Sequence, residues 1–230
     1  MRVSRTVRDV EVTSSGLPAA VLFDLDGLLI DSEPVWYDVE SAVVERLGGV
    51  WSKAHQAQCV GGTIDKTCTY ILDLTGATLN AEDLQAELLD AMVTSFHRGV
   101  GVLPGAGELV KTVADAGVPM GVVSSSYRTL VDAALEQFGT NTFAVTVTGD
   151  EVSRGKPHPE PYALACERLG VEPVRCVVLE DAPMGVASAE AAGCRVIAVP
   201  DHAIIEPTPH RLVFDSLAEV DLDVLRRLVA

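Results

Sequence analysis

Val21-Leu22-Phe23-Asp24-Leu25-Asp26-Gly27-Leu28-Leu29-Ile30-Asp31-Ser32-Glu33 decides how the rest of this chain is read. The stretch opens as an uninterrupted apolar run, the pattern of a strand buried on both faces of a parallel sheet. It then sets Asp24 and Asp26 two residues apart and breaks at Gly27. Side chains at i and i+2 of an extended segment point the same way, so both carboxylates face one pocket if the strand geometry continues. Like charges held together need a cation or a shared proton to offset their repulsion.

Working outward, residues 1–18 read as a flexible tail, and the strand begins near Ala19. Ser32 fits the N-cap of a helix that carries Pro34 in its first turn and runs to Leu47 before Gly48-Gly49. From there to Val102 the pattern predicts helices and no strand: Lys53 to Cys59, Thr63 to Leu74, and Asn80 to Arg98, the last opened by the cap-like Asn80-Ala81-Glu82-Asp83. After Leu103-Pro104-Gly105 the character changes. Strands at Pro119–Val123, Phe143–Val147, Cys176–Leu179, Arg195–Val199 and Leu212–Phe214 alternate with helices at Ala106–Ala116, Tyr127–Phe138, Pro159–Leu169 and Met184–Ala192, and a terminal helix follows. Such alternation predicts an α/β fold, a doubly wound, Rossmann-like parallel sheet with helices on both faces. The expected division is an α/β catalytic core at 19–31 and 103–230, with 32–102 as a helical cap inserted after the first strand.

Ligands of an open parallel sheet sit outside the carboxyl ends of its strands, so the residues after each strand carry the functional argument. They are Asp24 and Asp26, then Ser124-Ser125-Ser126, then Gly149-Asp150 with the loop Arg154-Gly155-Lys156-Pro157-His158-Pro159, then Glu180-Asp181. Singly each has an ordinary structural explanation: a serine run caps a helix, a lysine beside prolines lies in a solvated turn, and acidic residues suit a helix N-terminus. Together they are the parts of a phosphate and magnesium site, with carboxylates for a hard octahedral cation and Lys156 and Ser124 for the phosphoryl oxygens. His158 could pin its loop as easily as touch a ligand, and Arg98 and Arg128 are weaker candidates for a substrate anion.

Composition bounds the partners. The chain has 230 residues, 48% of them hydrophobic, and a formal net charge of −16. That charge argues against nucleic acid or an anionic membrane as partner, so a phosphate site has to be made locally. No apolar run reaches the length of a membrane helix, and no signal peptide is recognisable, so the protein is expected to be cytoplasmic and, by default, a monomer. The five cysteines form no CxxC pair and are read as free thiols.

In its ordered motifs the chain resembles the haloacid dehalogenase superfamily of phosphotransferases. The motifs stand as Phe23-Asp24-Leu25-Asp26-Gly27, Val122-Val123-Ser124-Ser125-Ser126, Gly155-Lys156-Pro157, and Leu179-Glu180-Asp181 with Pro183-Met184-Gly185-Val186. The resemblance implies Asp24 as the nucleophile that becomes an aspartyl phosphate and Asp26 as general acid and base. It implies Mg²⁺ held by Asp24, the Asp26 backbone carbonyl and Asp181, with Glu180 placing a water of the cation's shell. Ser124, Ser125 and Lys156 are implied as substrate contacts.

Among relatives, Asp26 and Asp181 speak against dehalogenase activity, and Asp26 also against phosphonate cleavage by a cap lysine such as Lys53 or Lys66. Mutases resembling β-phosphoglucomutase carry a histidine twelve residues after the nucleophile, where this chain has Trp36, and an arginine where it has Ile64. The run Asp31-Ser32-Glu33-Pro34-Val35-Trp36 instead resembles phosphatases of 2-deoxyglucose 6-phosphate and related hexose or hexitol phosphates. Trp36 is expected to face the substrate or to pack beneath the cap. The expectation is thus a Mg²⁺-dependent phosphatase acting on a small phosphorylated metabolite, with a sugar phosphomutase and a non-catalytic metabolite-binding protein as alternatives.

Overall fold

The computed structural model describes residues 16–60, 62–139, 141–200 and 203–229. The first fifteen residues of the expected tail lie outside them; Pro18 is buried and Leu17 packs against the core.

The central sheet has six parallel strands: β1 (Ala20–Phe23), β4 (Met120–Val123), β5 (Val145–Val147), β6 (Cys176–Glu180), β7 (Arg195–Ala198) and β8 (Arg211–Val213). Their order is β5-β4-β1-β6-β7-β8. Val21, Leu22 and Phe23 of β1 pair with Met120, Gly121 and Val122 on one side and with Val177, Val178 and Leu179 on the other. Because β1 lies between two strands and under two helical layers, its four residues are all buried. That is why it is written in Ala, Val, Leu and Phe without alternation.

Alternate residues serve opposite layers. Val21 and Phe23 belong to a core that includes Leu109, Val110 and Val113 of α5 (Ala106–Asp115), Leu130 and Val131 of α6 (Arg128–Leu135), and Val224 and Leu225 of α9 (Leu222–Val229). Ala20 and Leu22 belong to a second core with Tyr162, Ala165 and Cys166 of α7 (Glu160–Leu169) and Val186 and Ala189 of α8 (Pro183–Ala191). Each fully buried Leu, Ile or Phe in these layers contributes roughly 1.5–3 kcal/mol.

Between β1 and α5 lie α1 (Glu33–Arg46), α2 (Lys53–Cys59), α3 (Ile64–Thr75) and α4 (Ala81–His97). A short antiparallel ribbon, β2 (Ile30–Asp31) with β3 (Gly101–Val102), ties the entry of this helical block to its exit. The expectation of helices and no strand from Gly49 to Val102 is corrected at β3, and β2 was not foreseen either: two-residue strands leave no periodicity to detect. All five cysteines are free, and Cys68, Cys166, Cys176 and Cys194 are buried, as expected. Among the described residues no helix is long and apolar enough to cross a membrane.

Candidate active site

The strand order places a topological switch at β1, where successive connections run to opposite sides, and the carboxyl ends of β1 and β6 flank the crevice this creates. Asp24 leaves β1 still extended, its N–H donating to Leu179 O at 3.0 Å. The chain then turns sharply, with the N–H groups of Leu28, Leu29 and Ile30 all directed at Leu25 O. Gly27 carries the turn at φ 81°, and a Cβ there would come within 2.4 Å of Asp181 Oδ2. Glycine is therefore required twice at this position, for backbone conformation and for space.

Asp24, Glu180 and Asp181 each bring a carboxylate oxygen to within 4.8 Å of the others. Lys156, from the loop before α7, donates to Asp24 Oδ1 and to Glu180 Oε1, both at 2.6 Å. Glu180, 0% exposed at the end of β6, also accepts from Tyr162 Oη at 2.6 Å and from Ala182 N–H at 3.3 Å. Asp181 Oδ1 is buried with no hydrogen-bond partner.

One ammonium beside three carboxylates leaves the group short of positive charge, and the proton affinities register it. Burial, with the charges of Glu180 and Asp181, pushes Asp24 well above the usual carboxylate range against the pull of Lys156. Burial and the Glu180 charge raise Asp181 to about 6. Burial alone would lower the Lys156 ammonium, but Asp24 and Glu180 outweigh it and the net shift is upward. Three converging carboxylates with an orphaned oxygen fit a hard divalent cation with oxygen ligands.

The two aspartates of the opening motif have different surroundings. Asp26 accepts three hydroxyls: Ser32 Oγ at 2.7 Å on Oδ1, and Ser124 Oγ at 3.1 Å and Ser126 Oγ at 2.8 Å on Oδ2. Its carboxylate is not part of the Asp24–Glu180–Asp181 group. Ser32 does occupy the position before α1, but it makes no side-chain cap; its hydroxyl is spent on Asp26. Ser125 is exposed, and Ser126 is the serine that joins Ser124 at Asp26. Trp36 is half-buried on the first turn of α1 against the core.

Of the weaker candidates, Arg128 pairs with Asp132 one turn along α6 and ties the helix to Thr146 and Glu151, a structural role. His158 pins its loop, its Nδ1 accepting from Glu160 N–H and its carbonyl from Ser188 Oγ. Ser126 and Gly185 stand within the quoted motifs without a role of their own, and Tyr162 carries no signal in the sequence. A Cβ on Gly185 would fall 1.8 Å from Glu180 Oε1, so the glycine after Pro183-Met184 lets α8 close over that carboxylate.

A family model described as haloacid dehalogenase-like hydrolase matches residues 21–199. The chain belongs to that family. Hexitol phosphatase A of Escherichia coli (strain K12) is 37% identical over 183 residues, covering 77% of this chain and 81% of that protein. Validoxylamine A 7'-phosphate phosphatase of Streptomyces hygroscopicus subsp. limoneus is 33% identical over 174 residues, 75% of this chain and 81% of its own. Among solved structures, CbbY from Rhodobacter sphaeroides in complex with phosphate superposes with a TM-score of 0.81 at 28% identity, over 91% of this chain and 99% of that one. The chain is thus a haloacid dehalogenase-like hydrolase, with the α/β fold of that family and relatives named as phosphatases of small phosphorylated molecules.

Proposed function

We propose that this hydrolase is a Mg²⁺-dependent phosphatase of a sugar or sugar-alcohol phosphate, working through an aspartyl phosphate on Asp24. One observation carries the reading: three carboxylates from the ends of two adjacent strands converge, with Lys156 bonded to two of them. Asp24, Asp181 and the Asp26 backbone carbonyl would hold Mg²⁺, with Glu180 behind them. When bound, the ion supplies positive charge against the phosphoryl oxygens.

In the first step an Asp24 oxygen attacks phosphorus while the bond from phosphorus to the ester oxygen breaks, and Asp26 gives its proton to that leaving oxygen. In the second, water attacks the phosphorus of the aspartyl phosphate, Asp26 takes the proton from that water, and phosphate leaves with Asp24 restored. Lys156 offsets charge on the phosphoryl oxygens in both steps. The hydroxyls of Ser32, Ser124 and Ser126 orient Asp26 and can turn from donor to acceptor as it gains and loses its proton. Ser124 and Ser125 are assigned to the substrate, Trp36 to its sugar face, and helices α1–α4 to a cap that excludes water during reaction.

The test is phosphate release from p-nitrophenyl phosphate and a panel of hexitol and hexose phosphates, with Mg²⁺ and with chelator, for the native protein and Asp24→Asn. Mg²⁺-dependent release abolished by Asp24→Asn is expected. No release from any of these would leave a binding protein, and conversion of β-glucose 1-phosphate to glucose 6-phosphate with a trace of the 1,6-bisphosphate would make it a mutase.

A further inference from the structure

Glu180 is enclosed from several directions. Lys156 Nζ and Tyr162 Oη both donate to Oε1 at 2.6 Å, Ala182 N–H approaches Oε2 at 3.3 Å, and α8 closes at Gly185. A carboxylate oxygen has two lone pairs in its plane, so Oε1 is fully subscribed and Oε2 keeps capacity to spare. The Tyr162 ring is 0% exposed in the apolar layer under α7, where phenylalanine would fill the same space without a polar atom to satisfy. Its hydroxyl goes to Glu180.

We propose that Tyr162 is a positioning residue whose hydroxyl locks the Glu180 carboxylate, closing Oε1 and leaving Oε2 as the oxygen that serves the cation site. The assignment rests on the phosphatase reading above. Without the hydroxyl, the lock on Oε1 reduces to Lys156, which is shared with Asp24. Glu180 then gains rotational freedom, and the cation's surroundings are no longer fixed in advance. Partners one bond removed from a cation's ligands typically govern affinity by about 10–100-fold; Glu180 is such a partner, and Tyr162 acts through it at the lower end of that range.

The test uses the whole protein with Mn²⁺ as paramagnetic probe, free Mn²⁺ being counted by electron paramagnetic resonance. Tyr162→Phe is expected to weaken Mn²⁺ binding about tenfold or more, to raise the Mg²⁺ concentration for half-maximal activity by the same factor, and to leave KM at saturating Mg²⁺ unchanged. Cys166→Ala, one turn along α7 and 1% exposed, is the packing control: it is expected to lower Tm without changing Mn²⁺ affinity. In a Glu180→Gln background, Tyr162→Phe is expected to add less than about twofold, since residues acting through one another do not add. Native affinity in Tyr162→Phe, equal weakening by Cys166→Ala, or full additivity with Glu180→Gln overturns the assignment alone. A native protein that binds no Mn²⁺ and ignores Mg²⁺ overturns the phosphatase reading with it.

Discussion

At Gly27 a single missing methyl group decides where Asp181 can be. With φ at 81° and a virtual Cβ 2.4 Å from Asp181 Oδ2, alanine would have to displace either the turn or the carboxylate. A misplacement of about 1 Å near reacting groups costs on the order of a hundredfold in rate. Gly27→Ala is therefore expected to lower kcat by at least about a hundredfold, with Mg²⁺ activation shifted to higher concentration; steady-state kinetics at several Mg²⁺ concentrations check it. An alanine variant with native Mg²⁺ response would show that the turn does not set the Asp181 position. Asp24, Asp26, Lys156 and Asp181 were legible because strand ends of a doubly wound sheet are where chemistry gathers, and their residue types are costly there without a partner. Tyr162 was not legible. It lies in a helical stripe with Ala165 and Cys166, where an aromatic residue ordinarily means packing, and only the fold brings its hydroxyl to β6. The serine hydroxyls on Asp26 were half legible: the run after β4 was seen, but which of its members point inward depends on loop conformation.

At the scale of one helix, α1 shows what an amphipathic stripe can hide. Val39, Val43 and Val44 face the core, and Glu40 lies among them at 3% exposure. Burial pushes its carboxyl up from 4.5 to about 7, and neither Glu40 Oε2 nor Trp51 Nε1 makes a hydrogen bond. The raised value fixes the sign of its effect on stability. Below pH 4.5 the folded and unfolded states both hold the proton. From there to about 7 the unfolded state ionises while the folded state does not, so stability falls as pH rises, and above 7 the loss is complete. A shift of this size corresponds to about 3 kcal/mol, or several degrees of Tm for a chain of this length. Glu40→Gln is expected to remove that part of the slope, gaining on the native protein by at least about 5 °C at pH 8 relative to pH 5 in thermal melts. Parallel melting curves for the two proteins across that range would contradict it. The same scale shows where reading by period stops. The long helices α1, α3 and α4 were placed within a few residues, whereas the ribbon of β2 and β3 rests on backbone pairing across some seventy residues of chain.

At the scale of the whole molecule the helical block meets the sheet layer, and if it acts as a cap, the contacts between the two hold it shut and have to break for it to open. Helix α4 packs along α6, and two polar contacts cross between them: Gln85 Nε2 donates to Tyr127 Oη at 2.9 Å, and His97 pairs with Glu136 at 3.0 Å. The second pair is solvent-exposed on both sides, with 47% and 65% of its side chains accessible, and such pairs contribute little. The first is partly buried and stands just beyond the Ser124–Ser126 loop, where it can register the approach of the block to that loop. A net hydrogen bond contributes about 1 kcal/mol, which shifts a closed-to-open ratio by a factor of about five. Reading α1–α4 as a cap, Tyr127→Phe is expected to raise KM for a sugar phosphate about two- to tenfold. For p-nitrophenyl phosphate, whose flat leaving group asks less of the cap, the change should be smaller, and Tm should fall by no more than about 4 °C. Glu136→Gln should leave both KM values unchanged, because the pair it breaks is already screened by water. If Tyr127→Phe alters neither substrate while Glu136→Gln alters both, closure is governed by the exposed edge of the block and the partly buried contact is incidental to it.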